Sequence, residues 1–231
     1  FFKACRAEGI KPIIGCEVYV APRTRFDKEG KRDASGNHLI LLCKNQTGYE
    51  NLIYMVSKSF TEGFYQKPRI DLDLLRTHAD GLIALSACLA GCIPRAIVSG
   101  DFAGARQDAC TLANIFGAGN FYLELQNHGI PEQREVNAEL IAMAKELSLP
   151  LVATNDVHYL RKLDAENQAV MMCIQTGRTL AEGKPIGFET EEFYYKSTSE
   201  MERLFGDVPE ALSNTVKIAD ACTFEFKFGN L

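Results

Sequence analysis

The stretch Leu149–Leu160, LPLVATNDVHYL, joins a short apolar segment to a polar turn. Its first five residues, Leu149–Ala153, predict a buried strand of the kind found in parallel sheets. Asp156 and His158 follow this strand, and positions two apart in an extended segment point to the same side. A carboxylate and an imidazole could therefore converge on one metal ion at the carboxyl end of a strand. The alternative is a helix N-cap at Asp156 or at the preceding Asn155, with a surface histidine beside it.

The composition indicates one sizeable domain. The chain has 231 residues, of which 46% are hydrophobic, and this is enough to bury a substantial core. Its formal charge of −5 argues against tight duplex binding by this segment alone. Eight cysteines without CxxC spacing, in a sequence that shows no signal-peptide pattern, predict free thiols in a reducing cytoplasm. No apolar run approaches the ~18 residues of a membrane span, so no membrane partner is expected.

Strand patterns and helix patterns alternate along the chain, which predicts an α/β fold with a mainly parallel sheet. The predicted strands are Ile13–Val20, His38–Cys43, Gly81–Ser86, Phe121–Leu125, Leu149–Ala153 and a short one at Phe193–Tyr195. The predicted helices are Phe1–Glu8, Tyr49–Phe60, Asp71–Leu75, Ile93–Val98, Phe102–Phe116, Pro131–Leu147, Leu163–Cys173, one capped by Ser199 that runs to Leu204, and Pro209–Cys222. Loops are predicted at Ala21–Asn37, long enough to be mobile or functional, and at Gly177–Gly187.

Several reactive side chains lie in or beside the predicted strands. Glu17 interrupts an apolar strand, where a buried carboxylate is costly unless it is paired or binds a cation; the alternative is a glutamate facing water on an edge strand. Cys88 follows a strand and is a soft metal ligand, a nucleophile or a small buried residue. His38 opens a strand, and His128 lies in the loop after another. Both histidines are candidates for a site, although surface and turn positions are ordinary for histidine.

This mixture of candidate ligands narrows the choice of metal ion. Carboxylate, imidazole and thiolate groups suit Zn²⁺, Mn²⁺ or Fe rather than Ca²⁺. A cluster of such ions can activate water and hold a phosphate, as in metal phosphoesterases. The chain has only four histidines and no His-x-His pair, so these residues alone make a sparse multinuclear site.

Six segments together resemble the PHP (polymerase and histidinol phosphatase) domain family, in the form carried by the alpha subunits of bacterial DNA polymerase III. They are IKPIIGCEVYVAP (10–22), HLILLCKNQTGYENL (38–52), GLIALSACLAG (81–91), FYLELQNHG (121–129), LPLVATNDVHYL (149–160) and PEALSNTVKIADAC (209–222). The resemblance implies a distorted (β/α)₇ barrel with a metal cluster at one end. It also implies that residues 1–231 are a single PHP domain fragment, incomplete at its amino terminus and separate from the polymerase domains. The absence of an initiating Met agrees with that expectation.

The resemblance also implies a ligand set, carried over by matching motifs. Glu17, His38, Cys88, Asp156 and His158 would bind divalent metal ions, with Zn, Mn or Fe favoured and Mg a further candidate. His128 would lie behind these ligands or face the substrate. The family's His-x-His motif is not in this sequence.

The implied function is that of a cytoplasmic DNA-directed DNA polymerase, a nucleotidyltransferase in DNA replication. The PHP domain would add a metal-dependent 3′–5′ exonuclease or phosphoesterase site, and this segment alone is not expected to polymerise. Implied partners are DNA, through the full-length polymerase, and replisome subunits including a proofreading exonuclease. The alternative is a structural docking domain without chemistry. A free-standing phosphatase of the histidinol phosphatase type is a third reading, which the polymerase-type segment 209–222 disfavours.

Overall fold

The computed structural model describes residues 1–182 and 188–229. In this part of the chain six strands form one sheet: β1 (Gly15–Val20), β2 (Asn37–Cys43), β3 (Arg69–Ile70), β4 (Leu82–Leu85), β5 (Phe121–Leu125) and β6 (Leu151–Ala153). The α-helices described there are α1 (Phe2–Ala7), α2 (Gly30–Ala34), α3 (Gln46–Thr61), α4 (Leu72–His78), α5 (Cys92–Val98), α6 (Phe102–Phe116), α7 (Pro131–Leu147), α8 (Ala165–Thr176), α9 (Thr198–Phe205) and α10 (Pro209–Ala221). Short 3₁₀ turns lie at Lys162–Asp164 and Leu180–Glu182. The predicted α/β class is confirmed.

The sheet is mixed in direction. Its strand order is β3-β1-β2-β4-β5-β6. β2 runs antiparallel to both β1 and β4, whereas the pairs β1–β3, β4–β5 and β5–β6 are parallel. The prediction of a mainly parallel sheet is therefore right for β4–β6 and wrong for β2. The run HLILLC of β2 is continuously apolar, as parallel strands usually are, so its pattern indicates burial and does not reveal the reversed direction.

The two faces of the sheet differ in how they are covered. One face packs against a large apolar core built with helices α3–α7. The register aligns Glu17 with Ile40, Ile40 with Leu85, and Leu85 with Tyr122, so these four side chains share the other face. On that face a smaller apolar cluster is completed by α10, through Ile218 among others.

Side-chain caps explain where several helices begin. The side chains of Asn45, Asp71 and Asp101 accept hydrogen bonds from backbone N–H groups in the first turns of α3, α4 and α6. Pro131 is in the first turn of α7, where its missing N–H costs nothing. The predicted cap at Asp71 is confirmed.

Three local predictions differ from the structure. The cap of α9 is Ser197 rather than Ser199, and Glu200 completes its capping box, because the helix begins two residues earlier than predicted. The predicted strand at Phe193–Tyr195 is a single bridge between Tyr159 and Tyr194. The predicted loop Gly177–Gly187 contains a 3₁₀ turn, and its residues 183–187 lie outside the described part of the chain.

The segment between β1 and β2, predicted as a long loop, contains α2 and is anchored by a buried arginine. Arg69 of β3 has no exposed surface. Its guanidinium donates hydrogen bonds to four backbone carbonyl oxygens: 3.1 Å to Gly63, 2.6 Å to Asp33, 3.2 Å to Arg25 and 2.9 Å to Asp27. Three of these carbonyls belong to the loop, so one side chain satisfies backbone groups that burial would otherwise leave unpaired.

Two buried carboxylates complete this anchor. Asp71 accepts hydrogen bonds from the backbone N–H of Arg25 at 2.9 Å and from its guanidinium at 3.0 Å, while it caps α4. Asp33 pairs with Arg23, which lowers the pKa of this carboxyl to about 2. The loop is therefore held by charge-assisted hydrogen bonds at both of its ends.

The cysteines are all free thiols, and Cys43, Cys173 and Cys222 are buried, as the sequence predicts. None of the helices in the described residues has the length and apolar content required to cross a membrane.

The Arg69 anchor predicts a specific stability loss. Lysine at this position keeps the charge but cannot reach four carbonyl oxygens, so Arg69→Lys should lower the free energy of unfolding by at least about 2 kcal/mol. Urea denaturation measures this difference. The matched control is Arg76→Lys, because Arg76 pairs with Asp73 at the surface and should change stability by well under ~1 kcal/mol. Equal effects of the two substitutions would contradict the anchoring role.

Candidate metal centre

The residues predicted as ligands lie at one edge of the sheet. Parallel strands β1, β4 and β6 end at the same edge, and the antiparallel β2 begins there. Glu17 lies in the middle of β1, two residues before Tyr19, and Tyr19 pairs with His38 at the start of β2. Cys88 follows β4, whereas Asp156 and His158 follow β6. The fold thus brings one end of four strands together at the candidate site.

His38 contacts two of the other candidates. Its Nδ1 atom is 3.1 Å from Oε1 of Glu17 and 3.6 Å from Sγ of Cys88. The backbone explains this convergence: the N–H of His38 donates to the carbonyl of Ala90 at 3.0 Å, so the turn after β4 runs beside the start of β2. The side chain of Glu17 is 39% exposed and that of His38 is 20% exposed. Glu17 is therefore neither deeply buried nor on a free edge strand.

Asp156 and His158 form a second local set. Oδ1 of Asp156 is 3.4 Å from Nε2 of His158. Residues 154–157 have no regular structure and no helix begins at Asn155 or Asp156, which excludes the N-cap alternative. Asp156 adopts a φ of +41°, in the left-handed region that few residues other than Gly, Asn and Asp occupy.

His128 lies behind Asp156 rather than beside the other candidates. Its ring has no exposed surface and stacks on Phe193 with 4.0 Å between the ring centroids. Nδ1 accepts a hydrogen bond from the Gln133 side-chain amide, and Nε2 donates to the carbonyl of Asn155, each at 2.8 Å. Both ring nitrogens are therefore occupied, and the histidine orients the backbone immediately before Asp156.

Burial and neighbouring charges set the protonation of these groups. Burial lowers the pKa of His38, so its ring is neutral at neutral pH. Burial also raises the pKa of the Cys88 thiol to about 11, with a further increase from the Asp156 carboxylate. Burial alone would raise the pKa of Asp156, but its contact with His158 and the other nearby histidines lower it, so this group is ionised.

Glu124 is a residue of this region that sequence reasoning missed. It lies in β5, its side chain is buried, and its carboxylate accepts a hydrogen bond from the backbone N–H of Ala87 at 2.9 Å. The signal was present in the sequence, because a glutamate within the apolar run FYLEL carries the same burial cost that singled out Glu17.

The donor atoms suit a divalent transition metal, although they are not gathered into one group. Across residues 1–182 and 188–229, no group of three or more His, Cys, Asp or Glu side chains is arranged to hold a metal ion. The candidates form two local sets instead, one around His38 and one at Asp156. Carboxylate, neutral imidazole and a thiol are the donors expected for Zn²⁺, Mn²⁺ or Fe.

Comparison with known proteins gives the family. A family profile described as the PHP domain matches residues 1–128. The chain is also similar to curated proteins named DNA polymerase III subunit alpha. It is 46% identical over 226 residues to that of Treponema pallidum, and the match covers 96% of this chain and 19% of the relative. For Borreliella burgdorferi the identity is 47% over 225 residues, with 96% and 19% covered.

The Thermus aquaticus relative of the same name is 44% identical over 239 residues, which cover 100% of this chain and 19% of the relative. The chain therefore spans about a fifth of the length of the curated relatives it matches. Since the profile covers more than half of its residues, the chain belongs to the PHP domain family.

Proposed function

We propose that this chain is the PHP domain of a replicative DNA polymerase III alpha subunit. The identity of 44–47% over nearly the whole chain supports this assignment. Residues 1–231 would then be one domain of a cytoplasmic polymerase that copies DNA. Its partners would be DNA, through the full-length polymerase, and other replisome subunits, including a proofreading exonuclease.

The proposal includes a distorted (β/α)₇ barrel. In the described residues β3 and β6 are the edge strands of the sheet, so the sheet has room to continue. The face that carries Glu17 and His38 is only partly covered, and Ile40 and Leu42 on that face are half-buried. The inner wall of an unclosed barrel would look like this: an apolar face that is only partly covered and that also carries polar side chains.

Within this domain, we propose that Glu17, His38, Cys88, Asp156 and His158 bind divalent metal ions for 3′–5′ hydrolysis of DNA. The observation that carries the proposal is the contact of His38 Nδ1 with both Glu17 and Cys88 at the edge where Asp156 also lies. A bound divalent cation would neutralise phosphate charge and acidify water at the 3′-terminal phosphodiester.

The residues themselves set the conditions for binding. Asp156 supplies a negative charge at neutral pH, and neutral His38 supplies a lone pair. The Cys88 thiol is protonated at neutral pH because its pKa is about 11, so it must lose a proton before it can bind an ion. His128 would hold the Asp156 turn in place through the Asn155 carbonyl.

The protonated thiol predicts that metal affinity depends on pH. Because Cys88 has a pKa of about 11, each ion bound by its thiolate releases one proton. In the full-length protein Zn²⁺ affinity should therefore rise about tenfold per unit between about pH 7 and pH 9. Competition with a chromophoric chelator measures the affinity. Cys88→Ser should weaken binding and flatten this dependence, whereas Cys110→Ser in α6 should leave it unchanged. A slope that Cys88→Ser does not alter would remove Cys88 from the ligands.

A second prediction separates catalysis from folding at Asp156. Asparagine has nearly the same shape and tolerates the left-handed backbone at this position, but it lacks the charge that would hold a cation. Asp156→Asn should therefore reduce hydrolysis of a single-stranded DNA 3′ end to background in the full-length enzyme. Nucleotide incorporation should remain within about twofold of the unsubstituted enzyme. A gel assay of 3′-labelled DNA measures the first activity, and primer extension measures the second.

The control for this experiment is Asp207→Asn, at an exposed aspartate before α10. It should leave both activities unchanged. Full 3′ hydrolysis in Asp156→Asn would exclude Asp156 from the site and defeat the proposed chemistry. Loss of both activities together would indicate a folding defect instead.

A docking function is the second candidate, and exposed apolar side chains favour it. They concentrate in α8 and the segments beside it: Leu160, Leu163, Met171, Ile174 and Leu180. Leu163 is 88% exposed and Ile174 is 72% exposed, and exposed apolar groups of this kind often mark protein interfaces.

Substitutions in these exposed apolar side chains test the docking function separately from metal binding. If a proofreading exonuclease docks here, Leu163→Glu together with Ile174→Glu should weaken its binding to the full-length polymerase by at least about tenfold. The same substitutions should leave Zn²⁺ affinity unchanged. Surface plasmon resonance measures the docking, and Val216→Glu on the exposed side of α10 is the matched control. Unchanged exonuclease binding would reject this surface as the docking site.

A further inference from the structure

Glu124 connects the two turns that carry Cys88 and Asp156. Its Oε2 atom accepts the hydrogen bond from the N–H of Ala87, the residue before Cys88. Its Oε1 atom accepts hydrogen bonds from the hydroxyl of Thr154 and, at 3.1 Å, from the side-chain amide of Gln126. The carboxylate thus joins the turn after β4 to the turn after β6.

The backbone of Glu124 strengthens this connection. Its N–H donates to the hydroxyl of Ser86 at 2.8 Å, next to Ala87. One residue of β5, the strand between β4 and β6, therefore contacts the segments after both neighbouring strands. The group is 5% exposed, so these hydrogen bonds form away from competing water.

Both connected turns contain a residue in an unfavourable backbone conformation. Ala87 has a φ of +64° and Asp156 a φ of +41°. Residues with a Cβ atom rarely adopt this conformation, and they keep it only where the surroundings hold it. The hydrogen bonds of Glu124 act on Ala87 directly and on Thr154 two residues before Asp156.

We propose that Glu124 is a positioning residue that holds the Ala87–Cys88 turn and the Thr154–Asp156 turn at a fixed separation, so that Cys88 and Asp156 reach the same metal ion. This role rests on the metal site proposed above. Glu124 is assigned no bond to the ion, since its oxygens already accept hydrogen bonds from three donors. It acts through the geometry of its acceptors rather than through its charge.

This distinction predicts that glutamine can replace Glu124. A glutamine oxygen can accept from Ala87, and its amide nitrogen would then face Thr154 and Gln126. The Oε1 atom of Gln126 is buried without a hydrogen-bond partner in the described structure, so this amide can rotate to accept from the new donor. Leucine offers no acceptor and would leave the N–H of Ala87 unpaired.

The test is Zn²⁺ affinity in the full-length protein, measured by chelator competition. Glu124→Leu should weaken binding about 10- to 100-fold, as is usual when a partner of a metal ligand is removed. Glu124→Gln should stay within about threefold of the unsubstituted protein. The matched control is Glu135→Leu at an exposed position of α7, which should not change the affinity.

The outcomes separate three roles. Unchanged Zn²⁺ affinity in folded Glu124→Leu would overturn the proposal and leave Glu124 a merely structural residue. Equal weakening by Gln and Leu would also overturn it, because the carboxylate charge would then act on the ion directly. Either result leaves the metal site standing. Absence of Zn²⁺ binding by the unsubstituted protein would instead defeat the proposed function and the role of Glu124 with it.

A second pair of variants decides the question if Glu124→Leu does not fold. Thr154→Val keeps the side-chain shape and removes the hydroxyl that donates to Glu124, whereas Thr154→Ser keeps the hydroxyl. The valine variant should lose about tenfold in Zn²⁺ affinity, and the serine variant should match the unsubstituted protein. Equal affinity of the valine variant and the unsubstituted protein would overturn the proposal.

Discussion

The antiparallel pairing of β2 with both β1 and β4 brings His38 to the edge of the sheet where the other candidate ligands lie. Strands β1, β4, β5 and β6 share one direction, so their carboxyl ends meet at one edge of the sheet. Reversal of β2 brings its amino end to the same edge. His38 therefore reaches Glu17 and Cys88 although it opens a strand rather than closing one. A parallel β2 would have put His38 at the opposite edge, about the length of a strand away.

Much of the fold could be predicted from local signals. Phe121–Leu125 and Pro131–Leu147 were predicted to the residue, because a glycine-containing turn precedes the first and a proline opens the second. The Asp-x-His pair after β6 was visible because an apolar run ends abruptly in polar residues. Signals of this kind depend only on neighbours in the sequence, so they locate elements and candidate groups well. Strand direction depends on pairing, and it was predicted wrongly for β2.

Other features depend on contacts between distant residues and gave no local signal. Arg69 stands in the polar segment QKPRID and resembles a surface residue, yet its partners lie up to 44 residues away. Glu124 could have been suspected from its apolar surroundings, but its partners at Ala87 and Thr154 are 37 and 30 residues away. The hydrogen bond from Nε2 of His128 to the carbonyl of Asn155 also joins residues 27 positions apart. Sequence patterns can identify a polar group whose burial costs free energy, but they do not identify the hydrogen-bond partners that offset this cost.

The anchoring of the loop between β1 and β2 has a consequence for access to the sheet edge. A loop that gates a site must open at little free-energy cost, and gating loops are drawn from the least stable parts of a protein. Here one buried guanidinium donates hydrogen bonds to the carbonyls of Arg25, Asp27 and Asp33. Opening of the loop would leave this buried charge without these hydrogen-bond partners. The loop and β3 are therefore tied together by hydrogen bonds from one side chain. This segment is thus built as a fixed wall beside the sheet edge rather than as a lid.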